Sequence, residues 1–328
     1  MKKLISSVFT LLLMASVTFA QTNTSTVNQG GNDNSAIVGQ TGNSNTSLVD
    51  QSGDDHEAEV TQNGNANEAE VDQNGEDAYA STNQQGNNNE AYQYQLSVDA
   101  AWANASASAI INQIGNDNTA SQEQLSVAAL AATATAVGDI RQQGNDNTAT
   151  QEQFTGAALF AGSSANAEID QFGDSNFASQ EQQAGAAVGS ATATAVIDQI
   201  GDNNSAIQQQ GTLGFLNLNN ALADADQDGD GNESYQLQEG SDLTSFVNQF
   251  GDGNNADNEQ IGNDIFSVIN QDGDSNWAEV IQNGDDLWSS VNQDGDSNRA
   301  EVSQSGSFHN SVVDQIGDNN SAIVTQSN

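Results

Sequence analysis

The apolar and polar positions of this chain recur every eleven residues. Gln293 to Gln304 reads QDGDSNRAEVSQ, and its spacing, Q-x-G-x-x-N-x-A-x-x-x-Q, returns at Gln271 to Gln282, at Gln315 to Gln326 and as far back as Gln40. With the first Gln as position 0, positions 1 to 4 are rich in Gly, Asn and Asp, with Gly at position 2. That is turn chemistry: Gly takes positive φ readily and Asx side chains close local hydrogen bonds. Positions 5 to 11 then alternate. Asn276, Ala278, Val280 and Gln282 fall on one face, and Trp277, Glu279 and Ile281 on the other. Charge stays off the first face, as strand geometry requires of a buried side. Each unit therefore predicts one turn and one strand of about seven residues.

Two kinds of unit alternate, so the full repeat is 22 residues. In one kind position 5 is Asn, as at Asn276, Asn298 and Asn320; in the other it is Leu243, Ile265, Leu287 or His309. One such repeat cannot bury its own inward face, whereas stacked copies bury it against each other. The predicted fold is all-β: a single flattened β-solenoid of strand–turn–strand rungs, amyloid-like in its stacking. Strands one rung apart would lie ~4.8 Å from each other. Buried amides then form ladders, each donating to one neighbour and accepting from the other. The candidate ladder residues are Gln271, Asn276, Gln282, Gln293, Asn298, Gln304, Gln315, Asn320 and Gln326.

Along the chain, Met1 to Ala20 has two lysines, a short apolar run and small residues before Gln21, which reads as a secretory signal peptide. Residues 21–28 read as a short polar lead-in, and 29–328 as one solenoid domain. Between Gln84 and Gln227 the spacing of Asn-type units widens to 28 or 29 residues. There the second half-unit becomes an Ala-rich insert such as Leu125 to Arg141. Ala favours helix, but Ala132, Ala134, Ala136, Gly138 and Ile140 share a parity with Gln142, which favours longer strands with an Ala face.

Composition narrows the function. The chain has no Pro to interrupt a ladder and no Cys to staple it. With Lys2 and Lys3 removed, Arg141 and Arg299 stand against 45 acidic residues, which argues against nucleic acid or a lipid bilayer as partner. No nucleophile–base pair is present, and no catalytic, cofactor or metal site is expected. His56 and His309 fill a variable strand position. The EF-hand start at Asp224 to Gly229 fails at Tyr235, where a bidentate Glu belongs. The Thr-x-Thr pieces at Thr133/Thr135 and Thr192/Thr194 occur in too few inserts to make an ice-binding face. Stacking sets Glu279 against Glu301, and Asp274 against Asp296 and Asp318, so acid, salt or Ca²⁺ is expected to favour it.

The 22-residue unit resembles the curlin repeat of curli fibre subunits, roughly S-x5-Q-x-G-x-G-N-x-A-x3-Q. Gln293, Gly295, Asn298, Ala300 and Gln304 match it position for position, as do Gln271, Gly273, Asn276, Ala278 and Gln282, and Gln315, Gly317, Asn320, Ala322 and Gln326. Ser is displaced to Ser289, the second Gly occurs only as Gly231 and Gly253, and the Ala-rich inserts are foreign to the pattern. The resemblance implies a secreted structural protein that assembles into extracellular, cell-surface amyloid fibres for biofilm matrix and adhesion. It also implies partners: further copies of itself, other curlin-like subunits and an outer-membrane secretion machinery. The alternative is a monomeric acidic solenoid, either a surface adhesin or a calcium-binding matrix protein. The last unit, as regular as any internal one, favours the fibre.

Overall fold

The computed structural model describes residues 22–100, 102–214 and 218–328; the side chains of 212–219 are not described. Residues 1–20, read from the sequence as a signal peptide, lie outside the described residues. The rest is a stack of 22 parallel strands, from β1 (Thr24–Gly30) and β2 (Ser35–Asn43) to β21 (Asn310–Ile316) and β22 (Ser321–Ser327), with no helix among the described residues. β1 pairs with β3 (Thr46–Asp54), so the strands begin inside the stretch read as a polar lead-in.

The strands form two facing walls. Each strand pairs in register with the strand two further along the chain, Thr24 with Thr46 and Ser35 with Glu57. The chain thus coils from wall to wall at each turn. Near the C-terminal end the turn itself joins the ladder, and β17 (Glu233–Phe250), β18 (Asn255–Asp272) and β19 (Trp277–Asp294) run through both walls. Register is fixed by alternation: a slip of one residue would turn every buried Gln, Ala and Val outward and bring Glu and Asp in.

In the 22-residue rungs the space between the walls holds Val, Leu and Ile. One cluster is Val247, Ile269, Val280, Val291 and Val302; another is Leu243, Ile265 and Leu287. In the middle the Ala-rich inserts are strands. β8 (Asn104–Asn116) and β10 (Thr133–Asn145) each extend to 13 residues. Ala132, Ala134 and Ala136 point inward with Ile140 and are buried. Ala meets Ala across the walls there, as at Ala105, Ala128, Ala134, Ala165 and Ala193. The parity that ties these residues to the ladder Gln outweighs the helix preference of Ala, because only the strand gives the inward methyls a partner above and below.

Candidate functional site

Three continuous amide ladders run the length of the solenoid, and the nine candidate residues divide among them. In one wall Gln271 Nε2 donates to Gln293 Oε1 at 2.9 Å, and Gln293 to Gln315 at 2.9 Å. In the other, Gln282 donates to Gln304 at 2.8 Å and Gln304 to Gln326 at 2.8 Å. The first ladder continues back to Gln40 and the second to Gln29. Each Gln Nε2 also reaches the opposite wall: Gln293 donates to Trp277 O at 3.1 Å and Gln304 to Trp288 O at 3.1 Å. One amide therefore stitches along a wall and across to its partner wall. Gln271, Gln282 and Gln293 are fully buried, while Asn320 and Gln326 lie part-exposed in the last described rung.

The Asn ladder occupies the turn and runs with the opposite polarity. Asn320 donates from its backbone N (2.9 Å) and from Nδ2 (3.0 Å) to Asn298 Oδ1. Asn298 N donates to Asn276 Oδ1 at 3.0 Å. Where Asn67 stands, Nδ2 bonds Asn45 Oδ1 at 3.2 Å and also Gly86 O at 2.9 Å. That carbonyl explains the Gly at position 2: a Cβ on Gly64, whose φ is +139°, would collide with Gly86 O of the next rung. Gly here supplies both the backbone conformation and the close approach.

One further column escaped the sequence reading, and a second was read only in its acidic part, Asp274, Asp296 and Asp318. Gln93, Gln122, Gln151, Gln180, Gln208 and Gln236 form a third Gln ladder confined to the middle rungs, with links of 3.1, 2.8, 3.1, 3.0 and 2.6 Å. Its signal was the Gln-x-Gln doublet, as in Gln122-Glu-Gln124; the rung before carries Val71 at that place, and the rungs after carry Asn258 and then Val280. The other column is position 3 of the Asn-type turn. From Asn43 to Asn145 it is a side-chain amide ladder, Asn65 Nδ2 bonding Asn87 Oδ1 at 2.8 Å. From Asp174 onward it is Asp, and each carboxylate accepts the backbone N–H of the Asp one rung back, as Asp296 Oδ1 does from Asp274 N at 2.9 Å. A carboxylate has no N–H to pass on, so the Asp column keeps only the backbone link.

The outward faces carry the charge. Arg141 pairs with Glu168 at 2.8 Å and Asp170 at 3.0 Å, and contacts Asp139. Burial pushes the carboxyls of Asp139, Asp170, Asp198, Asp224 and Asp226 above the ordinary range; nearby carboxylates add to this, while Arg141 opposes it at Asp139, Asp170 and Asp198. Arg299 lies over the Trp277 ring, 3.8 Å from its centroid. His56 is buried, with Nε2 3.4 Å from Ser52 O. No group of three or more His, Cys, Asp or Glu is placed to hold a metal ion among the described residues.

Among known families, the Curlin associated repeat matches residues 31–64, 53–81, 219–251, 268–295 and 295–327. The chain carries curlin repeats. All five matches lie in or against the 22-residue rungs, where the Gln, Gly and Asn columns coincide with its period; the Ala-rich rungs between 84 and 218 are unmatched. A comparison with curated proteins gives no match.

Proposed function

We propose that this curlin-repeat chain is a secreted structural protein that polymerises end to end into extracellular, curli-like amyloid fibres of a biofilm matrix, where it serves adhesion. Its partners would be further copies of itself, other curlin-like subunits and an outer-membrane secretion machinery. It performs no catalysis in this reading. The observation that supports it is the polarity of the ladders. Each Gln donates forward along the chain and each Asn donates backward. The rung of Gln315, Asn320 and Gln326 therefore faces outward with Gln donors and an Asn acceptor. The rung of Asn23, Gln29 and Gln40 faces outward with the complementary set, since Gln29 and Gln40 donate only inward and Asn23 Oδ1 accepts from Asn45 N. A second copy would extend all three ladders with the bonds already made eleven or twelve times within one chain, adding strands to an exposed edge.

The test is polymerisation of the mature chain, followed by fibre diffraction. Fibres with reflections at ~4.8 Å and ~10 Å are expected. Asn320→Ala with Gln326→Ala should slow growth more than Ser321→Ala with Thr325→Ala, because the first pair points inward and the second outward. A chain that stays monomeric for days at high concentration, with or without Ca²⁺, would favour the monomeric adhesin or calcium-binding protein instead.

A further inference from the structure

The two long edges of the solenoid differ. One edge carries the Asn and Gly turns throughout. The other carries Gly turns with acidic residues near both ends: Asp54, Asp55, Glu76 and Asp77 before the middle, and Asp242, Asp264, Asp285 and Asp286 after it. In the middle the Ala-rich inserts replace those turns with apolar tips, whose one acid is Asp99 at the first, held by a hydrogen bond from Ala105 N. Their described apolar residues are Trp102, Leu130, Leu159, Phe160 and Val188. Trp102 is 95% exposed and Phe160 83%. The tips stack rung upon rung, Leu130 N bonding Ala100 O and Phe160 N bonding Leu130 O.

This ridge is held out against a conformational preference. Trp102, Leu130, Ala131, Leu159 and Phe160 all have left-handed φ, between 54° and 66°, where a bulky residue costs on the order of 1 kcal/mol or more. The windows 124–138, 153–167 and 182–197 around three of the tips contain no charged residue, and the tip of Trp102 holds a single one, Asp99. The ridge also projects. β8 pairs with β6 (Ala78–Asn87) only from Ala107 onward, so Asn104, Ala105 and Ser106 overhang the preceding rung; at the far side β16 (Leu218–Asp228) overhangs β17 in the same way, pairing only from Ala221. Three residues of strand amount to ~10 Å.

We infer that this apolar ridge is a lateral docking surface for a second copy of the chain, joining neighbouring filaments side by side. The inference rests on the polymer reading above. A chain of formal net charge −41 repels its own copies, and the acidic parts of this edge would do so at contact. Two ridges meeting tip to tip hold those parts ~20 Å apart, well beyond the ~8 Å screening length at physiological ionic strength. Anionic membrane surfaces are repelled by the same charge. The ridge is also its own match, since knobs at the rung spacing fit between the knobs of an identical ridge related by a two-fold axis. Four described tips span only ~15 Å, too little for the ~800 Å² per partner of a stable dimer. Single chains therefore stay apart, and filaments that repeat the ridge once per chain associate by multivalency.

The experiment compares filaments of the full mature chain with those of Trp102→Asn/Phe160→Asn and of Trp102→Phe/Phe160→Trp, by electron microscopy, low-speed pelleting and fibre diffraction. Asn tolerates left-handed φ, so the first variant keeps the fold while removing the knobs. Bundled filaments are expected from wild type and from the aromatic swap. The Asn variant should give single filaments with the same ~4.8 Å reflection and a pelleted fraction at least several-fold lower. Equal bundling in all three overturns the inference and leaves the polymer reading intact. No filaments from any of them overturns both. Wild-type filaments that stay single but bind phosphatidylcholine vesicles, while the Asn variant does not, overturn it in favour of a lipid surface.

Discussion

The 22-residue rungs and the Ala-rich middle rungs solve one stacking problem with different interiors. In the outer rungs the walls close over branched apolar side chains: Leu243, Ile265 and Leu287 at one end of the rung, Val280 and Val302 near its centre. In the middle Ile111, Ile140, Ile169 and Ile197 keep one branched apolar column, but the centre is the third Gln ladder, from Gln93 to Gln236, and the extended end is Ala on Ala. Outer stability therefore leans on burial and transfer from water, and middle stability on satisfied amides and close wall contact. The two regions share the Asn-type turns and the two long Gln ladders. The comparison separates what the repeat requires from what it tolerates.

The largest expected effect tests the shared part. Gly115→Ala in the middle and Gly273→Ala in an outer rung both place a Cβ against the carbonyl of the next Gly, at φ of +130° and +118°. Each should cost on the order of 3 kcal/mol or more, read as a fall in denaturant midpoint. A marked difference between the two would mean that the turns are not equivalent.

The next test exchanges interiors. Leu287→Ala should cost about 2–4 kcal/mol, as a buried Leu truncation does. Gln151→Val should cost about 2–3 kcal/mol for a different reason, because it strands Gln122 Nε2 and Gln180 Oε1 in a buried column. Val280→Gln in an outer rung should also destabilise, since Asn258 and Val302 on its neighbouring strands offer no matching Gln. If Gln151→Val were neutral, the middle would be an apolar core like the outer rungs.

This exchange also marks what the sequence made legible. The eleven-residue period carried the fold, the two walls and the inward parity of Ala132, Ala134 and Ala136, because alternation and spacing are one-dimensional signals. The nine ladder residues could be named for the same reason. Which wall each Gln served could not be read as directly, nor could the cross-wall bond from Gln293 to Trp277 O, because that carbonyl lies on the far wall. The third Gln ladder was visible as Gln-x-Gln but passed over, since the period predicted Val there. Stacking brings like charges together at Glu279 with Glu301 and along the turn aspartates. The structure shows raised carboxyls at Asp139, Asp170, Asp198, Asp224 and Asp226, where burial comes first; like charge follows at Asp198, Asp224 and Asp226, while at Asp139 and Asp170 the opposing Arg141 comes second.

Asp72 and Asp257 in the outer rungs are raised as well. The five aspartates, however, sit together on the neighbouring strands β10, β12 (Gly162–Phe172), β14 (Ser190–Ile200) and β16, and make the middle the more pH-sensitive region. A carboxyl whose folded-state pKa lies above its unfolded value binds protons more tightly when folded. Its contribution to stability is full below the ordinary value near 3.8 and fades as pH rises through the raised one. Acidification from neutral toward about pH 4 should therefore slow hydrogen exchange in β12, β14 and β16 more than in β19. Asp198→Asn with Asp226→Asn should remove most of that difference. A pH response spread evenly along the chain would assign it to the turn column instead.

The smallest effect concerns position 4 of the Asn-type turn, the residue just before each ladder Asn. It is left-handed in every described copy: φ is 55° at Ala66, 58° at Asp117, 59° at Ser297, and 68° and 65° at Gly231 and Gly253. The backbone demands what Gly gives most cheaply, yet Gly stands at only two of these places. The middle rungs mostly use Asn and Asp, as at Asn88, Asp117, Asp146 and Asn203, which enter this region at lower cost than other residues. Of the outer rungs, some carry Gly231, Gly253 or Asn319, but Ser44, Ala66, Ser275 and Ser297 have less means to offset it. Ala66→Gly should therefore stabilise by about 1 kcal/mol, while Asn203→Gly gains only a few tenths because Asn already suits the position and Gly loosens the unfolded chain. A rise in thermal midpoint for Ala66→Gly, with little for Asn203→Gly, would show that the middle rungs had relaxed their turns where the outer ones had not. Equal gains would mean that the Asn side chain contributes nothing there.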